Sequence, residues 1–155
     1  MLKIFLLSAF LLITTTEDVR LVVGVHDGDS ITVLSNKNVQ TKIRLTGIDA
    51  PELGQPFGKK AKQVLSDKCF NKDVRLQVLG IDRYGRTIAW VYTMDNECIN
   101  VYMVKSGCAW YYRQFTSDFT LDVAEMEARK AQLNIWSDST AIPPWEYRKQ
   151  RKNSR

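Results

Sequence analysis

Histidine occurs once in the chain, at position 26, and cysteine three times, at 69, 98 and 108. One imidazole, with no CxxC pair and no Cys/His cluster, argues against a structural zinc site. Long apolar runs are also missing. The one such run, Ile4 to Ile13, is about half the ~20 residues that a membrane span needs. Lys3 precedes it and Thr14-Thr15-Thr16 follows it, which is the order of an export signal. The expected organisation is therefore a signal over 1–19, cleaved near Thr16, a domain over 20–146 and a basic tail over 147–155. An uncleaved N-terminal segment would instead anchor the chain to a membrane. No internal repeat is visible. Acidic residues are outnumbered, 17 to 22, which leaves a formal charge of +5 and favours polyanionic partners. A length of 155 residues suits one domain with a real core, and 45% hydrophobic with 25% charged residues is ordinary for a globular protein.

Strand patterns dominate the first third. Arg20 to His26 is β-branched and apolar, Ser30 to Leu34 alternates, and Asp27-Gly28 between them is a hairpin signal. Thr41 to Ile48 alternates again, with Ile43 and Leu45 on one face and Lys42, Arg44 and Thr46 on the other. Pro56 opens a helix with Phe57, Ala61, Val64 and Leu65 at helical spacing. Val74 to Val78 and Thr87 to Tyr92 are two more strands around an Asp82–Arg86 turn. A short helix over Asn100–Ser106 is closed by Gly107, and a longer one over about Asp118–Leu133 is capped by Asp118. The predicted fold is α+β and mainly β: a five-stranded OB-fold barrel with three helices. The residues after Trp145 read as a frayed, solvated tail, with contact to a polyanion as the alternative.

Charged groups at the strand ends are the chemical signal. Asp27 and Asp29 flank one turn, Asp49 and Glu52 flank Pro51, and Arg44 lies between them, flanked by the apolar Ile43 and Leu45. Carboxylates in turns often only bind nearby backbone N–H groups. Taken together, they offer hard oxygen ligands for a cation beside a guanidinium that suits phosphate, which points to a metal-assisted reaction on a phosphate. Arg86 supplies a second guanidinium after Tyr84-Gly85. His26 lacks the partners that a histidine-based mechanism needs and reads as an exposed hairpin residue.

Four stretches agree in order and spacing with one family. Val25-His26-Asp27-Gly28-Asp29-Ser30, Ile43-Arg44-Leu45-Thr46-Gly47-Ile48-Asp49-Ala50-Pro51-Glu52, Asp82-Arg83-Tyr84-Gly85-Arg86 and Leu133-Asn134-Ile135-Trp136 resemble the staphylococcal (micrococcal) nuclease family. The resemblance runs from about Val22 to Trp145. It implies an OB-fold barrel with three helices and Ca²⁺-dependent hydrolysis of DNA and RNA to products with a 3′-phosphate. It implies Asp29 and Asp49 as Ca²⁺ ligands with the Ala50 carbonyl, Glu52 as the carboxylate acting on water, and Arg44 and Arg86 as phosphate clamps. Tyr84 matches a nucleotide-contacting position. Trp110-Tyr111-Tyr112-Arg113 departs from the founding sequence, which leaves Tyr111 and Tyr112 as weaker nucleotide contacts, or as packing beneath a helix.

The leading expectation is a secreted or periplasmic, monomeric, Ca²⁺-dependent nuclease. A catalytically silent nucleic-acid-binding module is the rival, and the presence of Asp29, Arg44, Asp49, Glu52 and Arg86 argues against it. Three cysteines in an exported chain allow one disulfide. Antiparallel pairing of 74–78 with 87–92 brings Cys69 towards Cys98, so that pair is the expected bridge, with Cys108 a buried thiol.

Overall fold

The computed structural model describes residues 18–154. The predicted signal therefore lies almost wholly outside the described residues. Five strands close into a barrel: β1 (Asp18–Val25), β2 (Ser30–Leu34), β3 (Gln40–Leu45), β5 (Asp73–Ile81) and β6 (Thr87–Thr93). Two-residue strands β4 (Ile48–Asp49) and β7 (Trp110–Tyr111) pair beside it. The helices are α1 (Gly58–Cys69), α2 (Ile99–Lys105), α3 (Phe119–Lys130) and α4 (Pro144–Asn153), with a 3₁₀ turn at Asn134–Ser137.

The barrel order is β1-β2-β3-β6-β5, closed by antiparallel pairing of β1 with β5. Only β3 and β6 run parallel, because α1 and β5 lie between them in the chain. Register shifts between Val22 and Gly24 and between Val78 and Gly80 mark the bulges that let flat ladders curve shut. Alternating side chains fill the interior: Val22, Ile31, Val33, Ile43, Leu45, Val74, Ala89 and Val91 are buried. Each large side chain of this kind contributes about 1.5–3 kcal/mol by leaving water. Asn100 staples the core. Its amide donates to the Thr46 carbonyl at 2.9 Å, and its Oδ1 accepts from Val91 N at 3.0 Å.

The barrel with a helix after the third strand is as expected. Four details differ. The strand read as Thr41–Ile48 breaks after Leu45, because Gly47 takes a left-handed φ of 72° and turns Ile48-Asp49 onto β7. Helix α1 begins at Gly58 rather than Pro56, because Phe57 is itself left-handed at φ 66°. The tail is not frayed: Pro144 occupies the first turn of a fourth helix, where its missing N–H costs nothing. The three cysteines are free, so the expected Cys69–Cys98 bridge is not formed. Cys69 points into the core and donates to the Leu65 carbonyl of its own helix, while Cys98 precedes α2. Burial pushes the Cys69 thiol up to about 12. Among the described residues no helix is long and apolar enough to cross a membrane.

Candidate active site

The site forms where the β1–β2 turn meets the end of β3 and strand β4. Asp27 takes the local role: its Oδ1 accepts from Asp29 N at 3.0 Å and Ser30 Oγ at 2.7 Å, an Asx turn. That leaves the Asp29 side chain pointing inward. The turn can pack this closely because Gly28 has no Cβ; one built there would lie 2.7 Å from the Cβ atoms of Ala50 and Ala61. Leu45 N donates to the Asp29 carbonyl at 2.9 Å and locks the turn to β3.

Asp29 and Asp49 are 6% and 2% exposed, and one guanidinium joins them. Arg44 places Nη1 3.2 Å from Asp29 Oδ1 and Nη2 3.0 Å from Asp49 Oδ1, while Nη1 also donates to the Leu45 carbonyl. Ala50 N donates to Asp29 Oδ2 at 2.6 Å. Burial pushes the Asp29 carboxyl up to about 8; Arg44 offsets part of this, and Asp27 and Asp49 add to it. An acid so buried and so close to a second carboxylate is short of positive charge.

Glu52 sits at the cleft mouth on the loop after β4. Gln55 is its main support. Gln55 Oε1 accepts from Glu52 N at 3.2 Å, and Gln55 N donates to the Glu52 carbonyl at 2.8 Å. Gly58 lets α1 press against the same backbone, since a Cβ there would overlap the Glu52 carbonyl and sit 3.0 Å from Leu53 Cα.

The structure thus gathers Asp29, Arg44, Asp49, Ala50 and Glu52. Arg86 stands on the neighbouring ladder, just before Thr87, which pairs with Ile43. Its Nε donates to Asp82 Oδ2 at 2.8 Å, so Asp82 sets its orientation. Tyr84 is 68% exposed on that turn, with the Arg83 and Arg86 guanidinium groups 4.8 and 5.6 Å from its ring centre. Tyr111 is not displayed to a ligand: it is 5% exposed, donates to the Thr116 carbonyl and accepts from Asp118 N. Tyr112 is half-buried and stacked on Trp145 at 5.0 Å. His26 is exposed and bonds Thr32 Oγ1 at 2.7 Å.

Two residues escaped the sequence reading. Gln55 has no signal in a polar loop. Arg148 of α4 lies 2.7 Å from Asp49 Oδ2 and 2.8 Å from Glu52 Oε1. Pro143-Pro144 as a helix start, with Trp145 and Arg148 three residues apart on one face, was the available signal.

The donor set suits a hard, hydrated cation. Among the described residues no group of three or more His, Cys, Asp or Glu forms a cage. Two aspartates and a backbone carbonyl leave the remaining positions to water, as oxygen-seeking divalent ions accept. The charge-starved Asp29 would be held ionised by such an ion.

Fold and site together define the class: an OB-type barrel with an acidic, arginine-forked cleft at its mouth. Comparison with known proteins narrows this. The sequence profile described as staphylococcal nuclease homologue matches residues 42–138. A protein of Haemophilus influenzae named an uncharacterized endonuclease is 44% identical over 131 residues, covering 84% of this chain and 73% of its own. The micrococcal nuclease of Shigella flexneri is 41% identical over 145 residues, covering 86% of this chain and 82% of its own. An endonuclease of Escherichia coli O157:H7, also named uncharacterized, is 39% identical over 127 residues, 82% of each chain. The chain belongs to the staphylococcal nuclease family.

Proposed function

We propose that this protein is an exported, Ca²⁺-dependent nuclease that hydrolyses DNA and RNA with little sequence preference and leaves 3′-phosphate ends. The supporting observation is the buried Asp29–Arg44–Asp49 group, with Glu52 beside it at the open mouth. Asp29, Asp49 and the Ala50 carbonyl would hold the ion. When bound, it would supply charge neutralisation at the attacked phosphate.

Glu52 takes the proton of the attacking water. The water oxygen bonds phosphorus, the P–O5′ bond breaks, and the 5′-oxygen leaves with a proton from solvent. Glu52 suits this task because it is the accessible carboxylate of the three. Arg44 has five N–H donors. Nη1 donates to the Leu45 carbonyl and Nη2 to Asp49, and Nη1 also lies 3.2 Å from Asp29 Oδ1, so donors remain for a phosphate oxygen. Arg86 is held through Nε, so its two terminal nitrogens can grip equatorial oxygens that carry more charge in the transition state. Tyr84 offers a stacking face for a base, which every base can use.

Export to the periplasm or medium is inferred from Lys3 and the run Ile4–Ile13. The protein is proposed to act as a monomer, with nucleic acid as its partner, and to touch a membrane only if that segment is retained. The test is digestion of single-stranded DNA, duplex DNA and RNA with Ca²⁺, with Mg²⁺ and with chelator, followed by end-group analysis. Ca²⁺-dependent release of 3′-phosphorylated fragments is expected. Binding without cleavage would make the protein a silent binding module.

A further inference from the structure

The C-terminal helix lies beyond the region the family profile covers, yet it is fastened to the loop that carries Glu52. Three attachments reach that loop from the segment 142–148, and a fourth seats the helix on Tyr112 after β7. Gln55 Nε2 donates to the Ile142 carbonyl at 2.6 Å while its Oε1 holds Glu52 N. Tyr147 OH donates to the Gly54 carbonyl at 3.0 Å. Trp145 stacks on Tyr112, their planes 8° apart. Arg148 then bridges the two carboxylates, with Nη2 on Asp49 and Nη1 on Glu52. A flexible loop carboxylate acquires a fixed direction only when something grips its oxygens, and a planar guanidinium fork grips two acids at once.

We propose that Arg148 is a positioning residue of the active site, holding Glu52 in a fixed relation to Asp49, and that α4 delivers it there. This rests on the nuclease reading for its catalytic consequence, while the fixing of the loop does not. Outer partners that orient reacting groups typically matter 10–100-fold.

The test compares full-length wild type with Arg148→Ala, Arg148→Lys and Lys149→Ala. Lys149 is an exposed neighbour on α4 and serves as the charge control. Steady-state kinetics on a short oligonucleotide are paired with hydrogen exchange of the amides of residues 51–57. Arg148→Ala should lower kcat about 10–100-fold with KM changed less than about threefold, and should speed exchange in that loop. Arg148→Lys should recover only part, because one ammonium cannot span both acids. Lys149→Ala should match wild type in kcat and in exchange. Three outcomes overturn the proposal: unchanged kcat and exchange in Arg148→Ala, a rise in kcat that makes Arg148 a plug, or a rise in KM alone that makes it a substrate contact. A wild-type protein inert towards nucleic acid would defeat the nuclease reading instead, and the exchange comparison would still decide whether Arg148 fixes the loop.

Discussion

A carboxylate at the mouth and a guanidinium on the next ladder carry the sharpest expectations. Glu52→Gln and Arg86→Ala should each cut turnover by about 10²–10³-fold while circular dichroism and melting stay close to wild type. A folded Arg86→Ala with near-full activity would remove it from phosphate binding. Gly58→Ala tests the backbone beneath Glu52. The added methyl meets the Glu52 carbonyl, so overpacking should cost about 1–3 kcal/mol in denaturant melts and lower kcat as well. The charged residues of the site were legible from their places in the strand pattern: Arg44 sits between the apolar Ile43 and Leu45, and Asp29 and Asp49 stand at strand ends. Gln55 and Asn100 were not legible. Their partners are distant in sequence, Ile142 for one and Thr46 for the other, so no local rule marks them.

Among the elements, α3 has the clearest start. Asp118 accepts from Thr120 N at 2.8 Å and Leu121 N at 3.0 Å, and this cap was expected from its position before the helix. Bonding to the Thr120 hydroxyl and to these amides holds the Asp118 carboxyl below the usual carboxylate range, outweighing what burial it has. A lowered folded value means its contribution is complete above the unfolded value, near ~4, and fades as pH falls through the folded one. Asp118→Ala should therefore cost about 1 kcal/mol at pH 7 and progressively less in melts run at lower pH, below the carboxylate range. Equal losses at neutral and strongly acid pH would show that the carboxylate is not the cap. Strands β4 and β7 are two residues each, too short for any periodicity to show. Helix α4 was hidden by composition: its run of basic residues looks like a solvated tail, and only Pro144, Trp145 and Arg148 betray an inner face.

For the whole molecule, ligand binding and folding are linked. If Asp29 and Asp49 hold Ca²⁺, saturating ion must raise the melting temperature. At a hundred times Kd the gain is about 2.7 kcal/mol. Scanning calorimetry with Ca²⁺ and with chelator should show this, and Asp29→Asn should abolish the difference. Zn²⁺ should rescue chelated enzyme poorly, since no thiolate or imidazole lines the site. An identical melt in both buffers would sink the metal assignment. The barrel as a whole was legible because three consecutive meander strands, a helix and two more strands have few compact solutions.

The seam of that barrel limits where a leader, if one is removed, could be cut. Closure rests on Asp18, Val19, Arg20 and Leu21 of β1, paired with Leu76, Arg75, Val74 and Asp73 of β5. A leader removed after Thr16 would leave all four pairs. Trimming after Val19 would take away two of them, along with the Asp18–Arg20 ion pair at 2.5 Å. A cut after Thr16 would fall two residues before Asp18, the first residue of the paired edge. A cut as late as Val19 would shorten the seam to the Arg20 and Leu21 pairs and expose the β5 edge at Arg75 and Leu76 to other chains. Chains made to begin at Glu17 and at Arg20, compared for aggregation onset on heating, should differ, with the shorter one aggregating at the lower temperature.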